Sequence, residues 1–178
     1  PRLEKALAAQ HHQPFESHRT VNPSLYESRI DAIDYAMLHD DGGKMQNYDE
    51  ADIILVGVSR SGKTPSCLYL ALQFGIKAAN YPITEEDMDT DQLPEPIAPF
   101  KKRLYGLTTD LQRLVNIREE RRPNRRYAST NQCRFELRAV EEMYMRHRIP
   151  YINTSRMSVE EISARIIRDN GLHRIELT

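Results

Sequence analysis

Residues 51–75 read ADIILVGVSRSGKTPSCLYLALQFG, and this stretch decides the fold. Its beginning, 51–58, is a short run with an apolar centre, typical of a central parallel strand that is buried on both faces. A helix is predicted over Lys63–Phe74, with Gly75 as its C-cap. Because a second strand is predicted over 76–83, the stretch forms a βαβ unit with a right-handed crossover.

The loop between the strand and the helix matches the pattern G-x-x-x-x-G-K-[ST] at every fixed position. Its two glycines allow tight turns that point backbone N–H groups inward, and the following helix N-terminus adds partial positive charge. Lys63 is expected to reach phosphate oxygens in catalysis, and the Thr64 hydroxyl is expected to bind Mg²⁺. The predicted nucleotide-binding residues are therefore Gly57, Val58, Ser59, Arg60, Ser61, Gly62, Lys63 and Thr64.

Four more helices and two more strands are predicted from hydrophobic periodicity and capping residues. The strands span 103–108 and 149–153, and 84–99 is an acidic, proline-rich stretch expected to form a surface loop or lid. One helix is predicted over Pro23–Leu38, and capping boxes are expected to open the others at Thr109–Gln112, Ser129–Gln132 and Ser158–Glu161. Helical spacing predicts one apolar face on each of three helices. The residues of these faces are Tyr26, Ile30, Ile33 and Met37 in the helix over 23–38, Leu68, Ala71 and Leu72 in the helix over 63–74, and Cys133, Leu137, Val140 and Tyr144 in the helix that opens at Ser129.

The alternation of strands and helices predicts an α/β fold: a mainly parallel, P-loop NTPase-like sheet flanked by helices, with an N-terminal helical arm. We expect an arm and helix over 1–48 and the α/β domain over 49–178. The formal net charge of -1 over 178 residues gives no support to nucleic-acid or membrane-surface binding. Without a signal peptide, a membrane-length apolar run or paired cysteines, a cytoplasmic protein is expected, and a homo-oligomer stays open.

Three other groups of residues carry alternatives. P-loop enzymes often hold Mg²⁺ through an acid at the end of a second strand, and the best downstream candidate here is Asp110, which fits an ordinary first-turn helix acid better. The sequence HDD at 39–41 fits acid–base or metal chemistry, or simply a helix end. The five arginines within 118–126 fit either a phosphate clamp or a solvated helix end.

Several motifs together resemble the phosphoenolpyruvate synthase regulatory protein family. The longest is ADIILVGVSRSGKTP at 51–65, and it continues with LYLA at 68–71 and GIKAANYP at 75–82. Shorter matches are HDDG at 39–42, GLT at 106–108, Ile117-Arg118 with Arg121, YAS at 127–129, and the segment from Ile149-Pro150 to SVEE at 158–161. The loop and the AANYP strand are more similar to the synthase branch than to a sister branch that acts on pyruvate, phosphate dikinase.

This resemblance implies a bifunctional enzyme acting on phosphoenolpyruvate synthase as its protein partner. Such enzymes use ADP to phosphorylate and inactivate the synthase on a threonine, and use inorganic phosphate to remove that group, releasing pyrophosphate. Members are usually longer at the N-terminus, so the chain is expected to be a fragment. Asp41 is the candidate catalytic base, Arg60 the candidate cation for the incoming phosphate, and Arg118 or Arg121 candidate lid residues. A small-molecule kinase or nucleotide hydrolase, and a non-catalytic nucleotide-sensing module, are the alternatives.

Overall fold

Four parallel strands form one sheet in the order β2-β1-β3-β4. The computed structural model describes residues 23–40, 48–123 and 125–172. The strands are β1 (Ile53–Gly57), β2 (Ala78–Pro82), β3 (Leu104–Thr108) and β4 (Tyr151–Asn153). Both neighbours of β1 pair with it in parallel, as does β4 with β3. The predicted α/β class with a parallel sheet flanked by helices is confirmed.

Six α-helices occur in the described part of the chain. They are α1 (Pro23–Leu38), α2 (Lys63–Phe74), α3 (Glu85–Met88), α4 (Leu111–Arg121), α5 (Thr130–His147) and α6 (Val159–Asn170). Two 3₁₀ segments span Ala98–Arg103 and Arg126–Ala128. The stretch predicted as an acidic loop therefore contains α3 and the start of a 3₁₀ segment, because Thr84 and Asp87 form a capping box there.

The sheet is covered on both faces, as the apolar centre of β1 predicts. Alternate side chains of a strand point to opposite faces. On one face, Ile54 and Val56 join a buried cluster with α4 and α5, and on the other Ile53 and Leu55 join a cluster with α1, α2 and α6. All five residues of β1 are buried, so the loop that follows starts from a strand packed on both faces.

The buried faces of α1 and α2 differ from the faces picked out by spacing. Tyr26, Ile30 and Met37 are exposed, whereas Ala32, Tyr35 and Ala36 are buried. In α2, Leu68 and Leu72 are exposed, whereas Ala71 is buried as predicted, and the other buried residues are Lys63, Ser66, Cys67 and Leu70. The physical reason is close approach, because small side chains let α1 pack directly on α2 and β2. The apolar face of α5, in contrast, is buried as predicted.

Capping residues set most of the helix starts near the sheet. Ser158 and Glu161 form the predicted capping box of α6, and Ser129 accepts the Gln132 N–H at the start of α5. The predicted box at Thr109 is wrong, because α4 begins after Asp110 and the Thr109 hydroxyl bonds Ser155 instead. Gly75 ends α2 in the left-handed conformation, as predicted.

Candidate functional site

The loop from Gly57 to Gly62 leaves the carboxyl end of the central strand and is held in a conformation that requires its glycines. A Cβ at Gly57 would lie 2.6 Å from the Leu107 carbonyl oxygen and 2.8 Å from Ser61 Oγ, closer than real contacts allow. Gly62 has φ 98°, a left-handed conformation, and Arg60 adopts φ 75° although it carries a side chain. The backbone at Arg60 is therefore strained, as is common in ligand-binding loops.

Lys63 lies inside the loop rather than in solvent. The residue is 3% exposed, and its ammonium donates to the Val58 carbonyl oxygen over 2.9 Å. Ser61 is 1% exposed, and its hydroxyl has no hydrogen-bond partner among the residues that the structure describes. A buried lysine ammonium in this loop fits an anion, because it would gain a charge-assisted hydrogen bond from it.

Three polar side chains meet on the β2 side of the loop. Thr64 Oγ1 and Asn80 Nδ2 each donate to Asp40 Oδ1 over 2.7 Å, and Asn80 Nδ2 lies 3.2 Å from Thr64 Oγ1. They come from three elements: the end of α1, the first turn of α2, and β2. The cluster therefore places one carboxylate beside the threonine that the loop motif assigns to a metal.

The backbone after α1 fixes the position of Asp40. The Asn80 N–H donates to the His39 carbonyl oxygen over 3.1 Å, which ties the end of α1 to β2. The His39 ring is buried, stacks on Tyr35 at 4.0 Å between centroids, and directs Nδ1 at the Tyr35 carbonyl oxygen over 2.8 Å. His39 thus anchors the turn, and its neighbour Asp40 carries the carboxylate into the cluster.

The carboxylate beside Thr64 belongs to the HDD sequence at 39–41, and not to Asp110. Asp110, the downstream candidate, accepts from Asn153 over 2.9 Å, and this bond holds the pKa of its carboxyl below the ordinary value. Its backbone N–H bonds Ser155, so Asp110 joins the start of α4 to the end of β4. Asp41, the candidate base, lies outside the described residues. Asp40 is the carboxylate in contact with the loop threonine.

Thr64 and Asp40 offer the chemistry that Mg²⁺ prefers. Magnesium takes hard oxygen ligands and commonly uses one or two protein groups, with substrate phosphates and water completing its shell. Within the described ranges there is no group of three His, Cys, Asp or Glu side chains that could hold a metal on its own. The two oxygens fit a metal that arrives with phosphate.

Arg118 does not lie over the loop as a lid, contrary to the expectation from sequence. It is 0% exposed, donates to the Ser59 carbonyl oxygen over 3.1 Å, and pairs with Glu136 over 2.6 Å. Its guanidinium also lies 4.2 Å from the centre of the Tyr127 ring, whose hydroxyl is 2.8 Å from Ser59 Oγ. Arg118 supports the loop from within the fold, because its planar fork bridges two helices. Arg121 is exposed at the end of α4.

A threonine beyond β4 holds the other side of the loop. Thr154 Oγ1 lies 3.0 Å from the Ser61 carbonyl oxygen and 3.1 Å from the Thr108 carbonyl oxygen, both within donating distance. Its N–H also donates to Thr108 over 2.9 Å. The loop is thus fixed between α1 and β2 on one side and the ends of β3 and β4 on the other.

Comparison of the sequence with known proteins identifies its family. A family model described as kinase/pyrophosphorylase matches residues 1–167 of the chain. The chain belongs to the kinase/pyrophosphorylase family. Within the described residues of this family member, no helix has the length and apolarity required to cross a bilayer.

Three relatives have names that propose them as phosphoenolpyruvate synthase regulatory proteins. The one from Pseudoalteromonas translucida is 59% identical over 159 residues, covering 88% of this chain and 59% of the relative. One from Legionella pneumophila is 58% identical over 89% of this chain and 58% of its own length. One from Colwellia psychrerythraea is 52% identical over 97% of this chain and 64% of its own. The kinase/pyrophosphorylase chain thus spans about three fifths of their length.

Sequence reasoning missed several residues that shape this site. Asn80 stands in an apolar strand, where a polar residue near the carboxyl end is a recognisable signal for ligand contact in parallel sheets. The HDD sequence at 39–41 fits metal or acid–base chemistry as well as a helix end, but Asp41 rather than Asp40 is the candidate that the sequence favours. Thr154 and Glu136 carry no local signal. Their role depends on contacts with residues far away in the sequence, between 18 and 93 positions distant.

Proposed function

We propose that the chain carries a bifunctional phosphoryl-transfer site that acts on a threonine of phosphoenolpyruvate synthase. In one direction ADP is the donor and the synthase is inactivated, and in the other inorganic phosphate removes the group and pyrophosphate is released. The observation that carries the proposal is the contact of Asp40 with Thr64 beside the buried Lys63. The kinase/pyrophosphorylase family and the names of the relatives support it.

The two directions share one kind of bond change. In the kinase direction the bond from the β-phosphorus to its bridging oxygen breaks, a bond to the threonine oxygen forms, and AMP leaves with the bridging oxygen. The threonine proton passes to a base. In the other direction an oxygen of inorganic phosphate bonds to the phosphothreonine phosphorus, the bond from that phosphorus to the threonine oxygen breaks, and the threonine oxygen takes up a proton. Pyrophosphate is the product that is released. Both therefore need the same place for a phosphorus between two oxygens.

The loop and its neighbours have distinct proposed roles in binding the phosphates and the metal. The N–H groups of 57–64 and the Lys63 ammonium bind the phosphates, and Arg60 at the exposed tip binds the phosphate that enters in the reverse direction. Thr64 and Asp40 hold Mg²⁺, which when bound neutralises charge developing on the phosphate oxygens. Asp41 stays the candidate base. We also propose that the fold is P-loop NTPase-like, with 1–48 as the remnant of a longer N-terminal region and 49–178 as the catalytic domain.

Asp40 also bears on the alternatives. The lack of an acid at the end of the second strand slightly favours a nucleotide-sensing module over a plain hydrolase. The contact of Asp40 with Thr64 weakens that argument, because Asp40 is the acid that we propose for the metal. A P-loop kinase of small molecules, or a hydrolase, would use the same cluster. The identity of the phosphoryl donor and acceptor distinguishes these from the proposed reaction.

The experiment incubates the chain with ADP, Mg²⁺ and phosphoenolpyruvate synthase and follows threonine phosphorylation by mass spectrometry. The expected result is phosphorylation with ADP, and release of pyrophosphate when phosphate is added to the modified synthase. Lys63→Ala should lower both rates by at least about 100-fold, because one preorganised charge on the phosphates is lost. Lys102→Ala is the matched control, since Lys102 is exposed in a 3₁₀ segment. Turnover of a small acceptor with ATP, and none of the synthase with ADP, would contradict the proposal.

A further inference from the structure

A cavity of about 200 Å³ lies beside the loop on the side away from Asp40. Its apolar wall is formed by Pro65 of α2, Ile117 of α4, and Met157, Val159 and Ile162 at the start of α6. The arginines of this opening, Arg60 and Arg113, are exposed. The cavity thus joins an apolar slot to the phosphate-binding loop.

Polar residues complete the lining of the cavity. Ser61, Ser66, Thr109 and Thr154 are buried, and the side-chain oxygens of Ser61 and Ser66 are enclosed by the protein. A ligand in the cavity therefore meets mainly the apolar wall and the two arginines.

The strand order separates the cavity from the polar cluster. The cluster of Thr64, Asp40 and Asn80 lies next to β2, at one side of β1. The cavity is bounded by Thr109 after β3 and Thr154 after β4, at the other side of β1. A diphosphate bound along the loop would therefore have one end at the cluster and the other end at the cavity.

The size and lining of the cavity indicate which chemical group it binds. Pockets that bury a whole small ligand measure about 300–1,000 Å³, so about 200 Å³ suits a ring system rather than a complete nucleotide. An apolar wall beside two exposed arginines suits a heterocycle that has apolar faces and polar edges. A threonine side chain, in contrast, would leave most of that wall uncovered.

We propose that this cavity binds the nucleoside end of the nucleoside diphosphate, and that the transferred phosphate lies at the Asp40 side of the loop. The inference rests on the proposed function for the presence of the diphosphate, and adds the direction in which it lies. The acceptor threonine consequently approaches from the β2 side. Inorganic phosphate and pyrophosphate, which have no nucleoside, bind without using the cavity.

The test compares two ligands that share phosphates and differ in the nucleoside. ADP and inorganic pyrophosphate are titrated calorimetrically into the full chain, with Mg²⁺ present, for the wild type and for two variants that fill the cavity. Ile117→Trp fills it from α4, and Val159→Phe fills it from α6, so that a folding defect in one leaves the other informative. Leu72→Trp is the matched control, because Leu72 is exposed on α2 and outside the lining.

The expected result is that the ratio of ADP affinity to pyrophosphate affinity falls by about tenfold or more in both cavity variants, and stays unchanged in Leu72→Trp. Equal loss of both ligands, or no loss of ADP, overturns the inference. Unchanged ADP binding with loss of synthase phosphorylation would place the acceptor in the cavity instead. A wild-type chain that binds pyrophosphate but fails to use ADP contradicts the proposed function, whereas an unchanged ratio contradicts only the cavity assignment.

Discussion

The two sides of the phosphate loop differ in the chemical character of their side chains. On the β2 side, Thr64, Asp40 and Asn80 hydrogen-bond to one another at 2.7–3.2 Å. On the β4 side, the apolar side chains of Pro65, Ile117 and Val159 line a cavity beside the loop. The first arrangement is preorganised, and suits the end where charge develops during transfer. The second offers apolar surface, and suits recognition of a bound ring.

The largest expected effect is on the free energy of unfolding, and it comes from the ion pair of Arg118 and Glu136 that supports the loop. Arg118 is buried beneath Ser59 and is neutralised by Glu136, which also accepts from Gln132 over 2.9 Å. Glu136→Gln leaves a buried cation without its counter-charge, a change that costs about 3–5 kcal/mol. We expect the free energy of unfolding, measured by urea denaturation, to fall by about that amount.

The control for this variant is Glu142→Gln, which removes an exposed carboxylate from the same helix. It should change the free energy of unfolding by no more than about 0.5 kcal/mol. Equal effects of the two variants would show that the pair with Arg118 adds nothing to the fold, and the loop would then lack the support described.

The second prediction tests whether the β2 side of the loop serves phosphoryl transfer and not nucleoside binding. Asp40→Asn removes the carboxylate on the β2 side while keeping its shape, so Mg²⁺-dependent transfer from ADP should fall by about 10- to 100-fold. The ratio of ADP to pyrophosphate affinity should stay close to that of the wild type, because the cavity is untouched. Transfer rates are measured as a function of Mg²⁺ concentration.

Asp34→Asn provides the matched comparison, since Asp34 is an exposed carboxylate on the preceding helix. It should transfer phosphate at the wild-type rate. An Asp40→Asn variant that keeps the wild-type dependence on Mg²⁺ would remove the chemical distinction between the two sides of the loop.

The smallest expected effect lies on the β4 side. Thr154→Val removes the hydroxyl that lies 3.0 Å from the Ser61 carbonyl oxygen and 3.1 Å from that of Thr108. Loss of a buried hydrogen bond should lower the free energy of unfolding by about 1–2 kcal/mol. Pyrophosphate and ADP should weaken together, because the loop itself loosens. Thr130→Val, at an exposed position of α5, should leave both affinities unchanged.

Local sequence patterns predicted β1, the phosphate loop and α2, but they did not predict how these elements contact distant parts of the chain. The strand, loop and helix over 51–75 could be predicted because each depends on neighbouring residues: an apolar run, two glycines, and a C-cap. The buried face of α1 could not be predicted in this way. Ala32 and Ala36 are buried because the helix approaches its neighbours closely there, and not because they carry large apolar side chains.

The partners of the loop were beyond the reach of local patterns for the same reason. Asp40 reaches Thr64 across 24 residues and Thr154 reaches Ser61 across 93. Arg118 lies in an arginine-rich stretch typical of a solvated helix end, and only the fold shows that it is buried against Glu136. The chemistry of these groups could be predicted from the residue types. Their positions around the loop could not, because they depend on the order of the strands in the sheet.

The direct measurement of the central claim is a crystal structure of the chain with ADP and Mg²⁺. We expect the β-phosphate and the metal beside Thr64 and Asp40, and the adenine ring between Ile117 and Val159. The acceptor side of the β-phosphate should then open towards β2. An adenine ring on the β2 side, with the cavity empty and the β-phosphate directed at Thr154, would contradict the account.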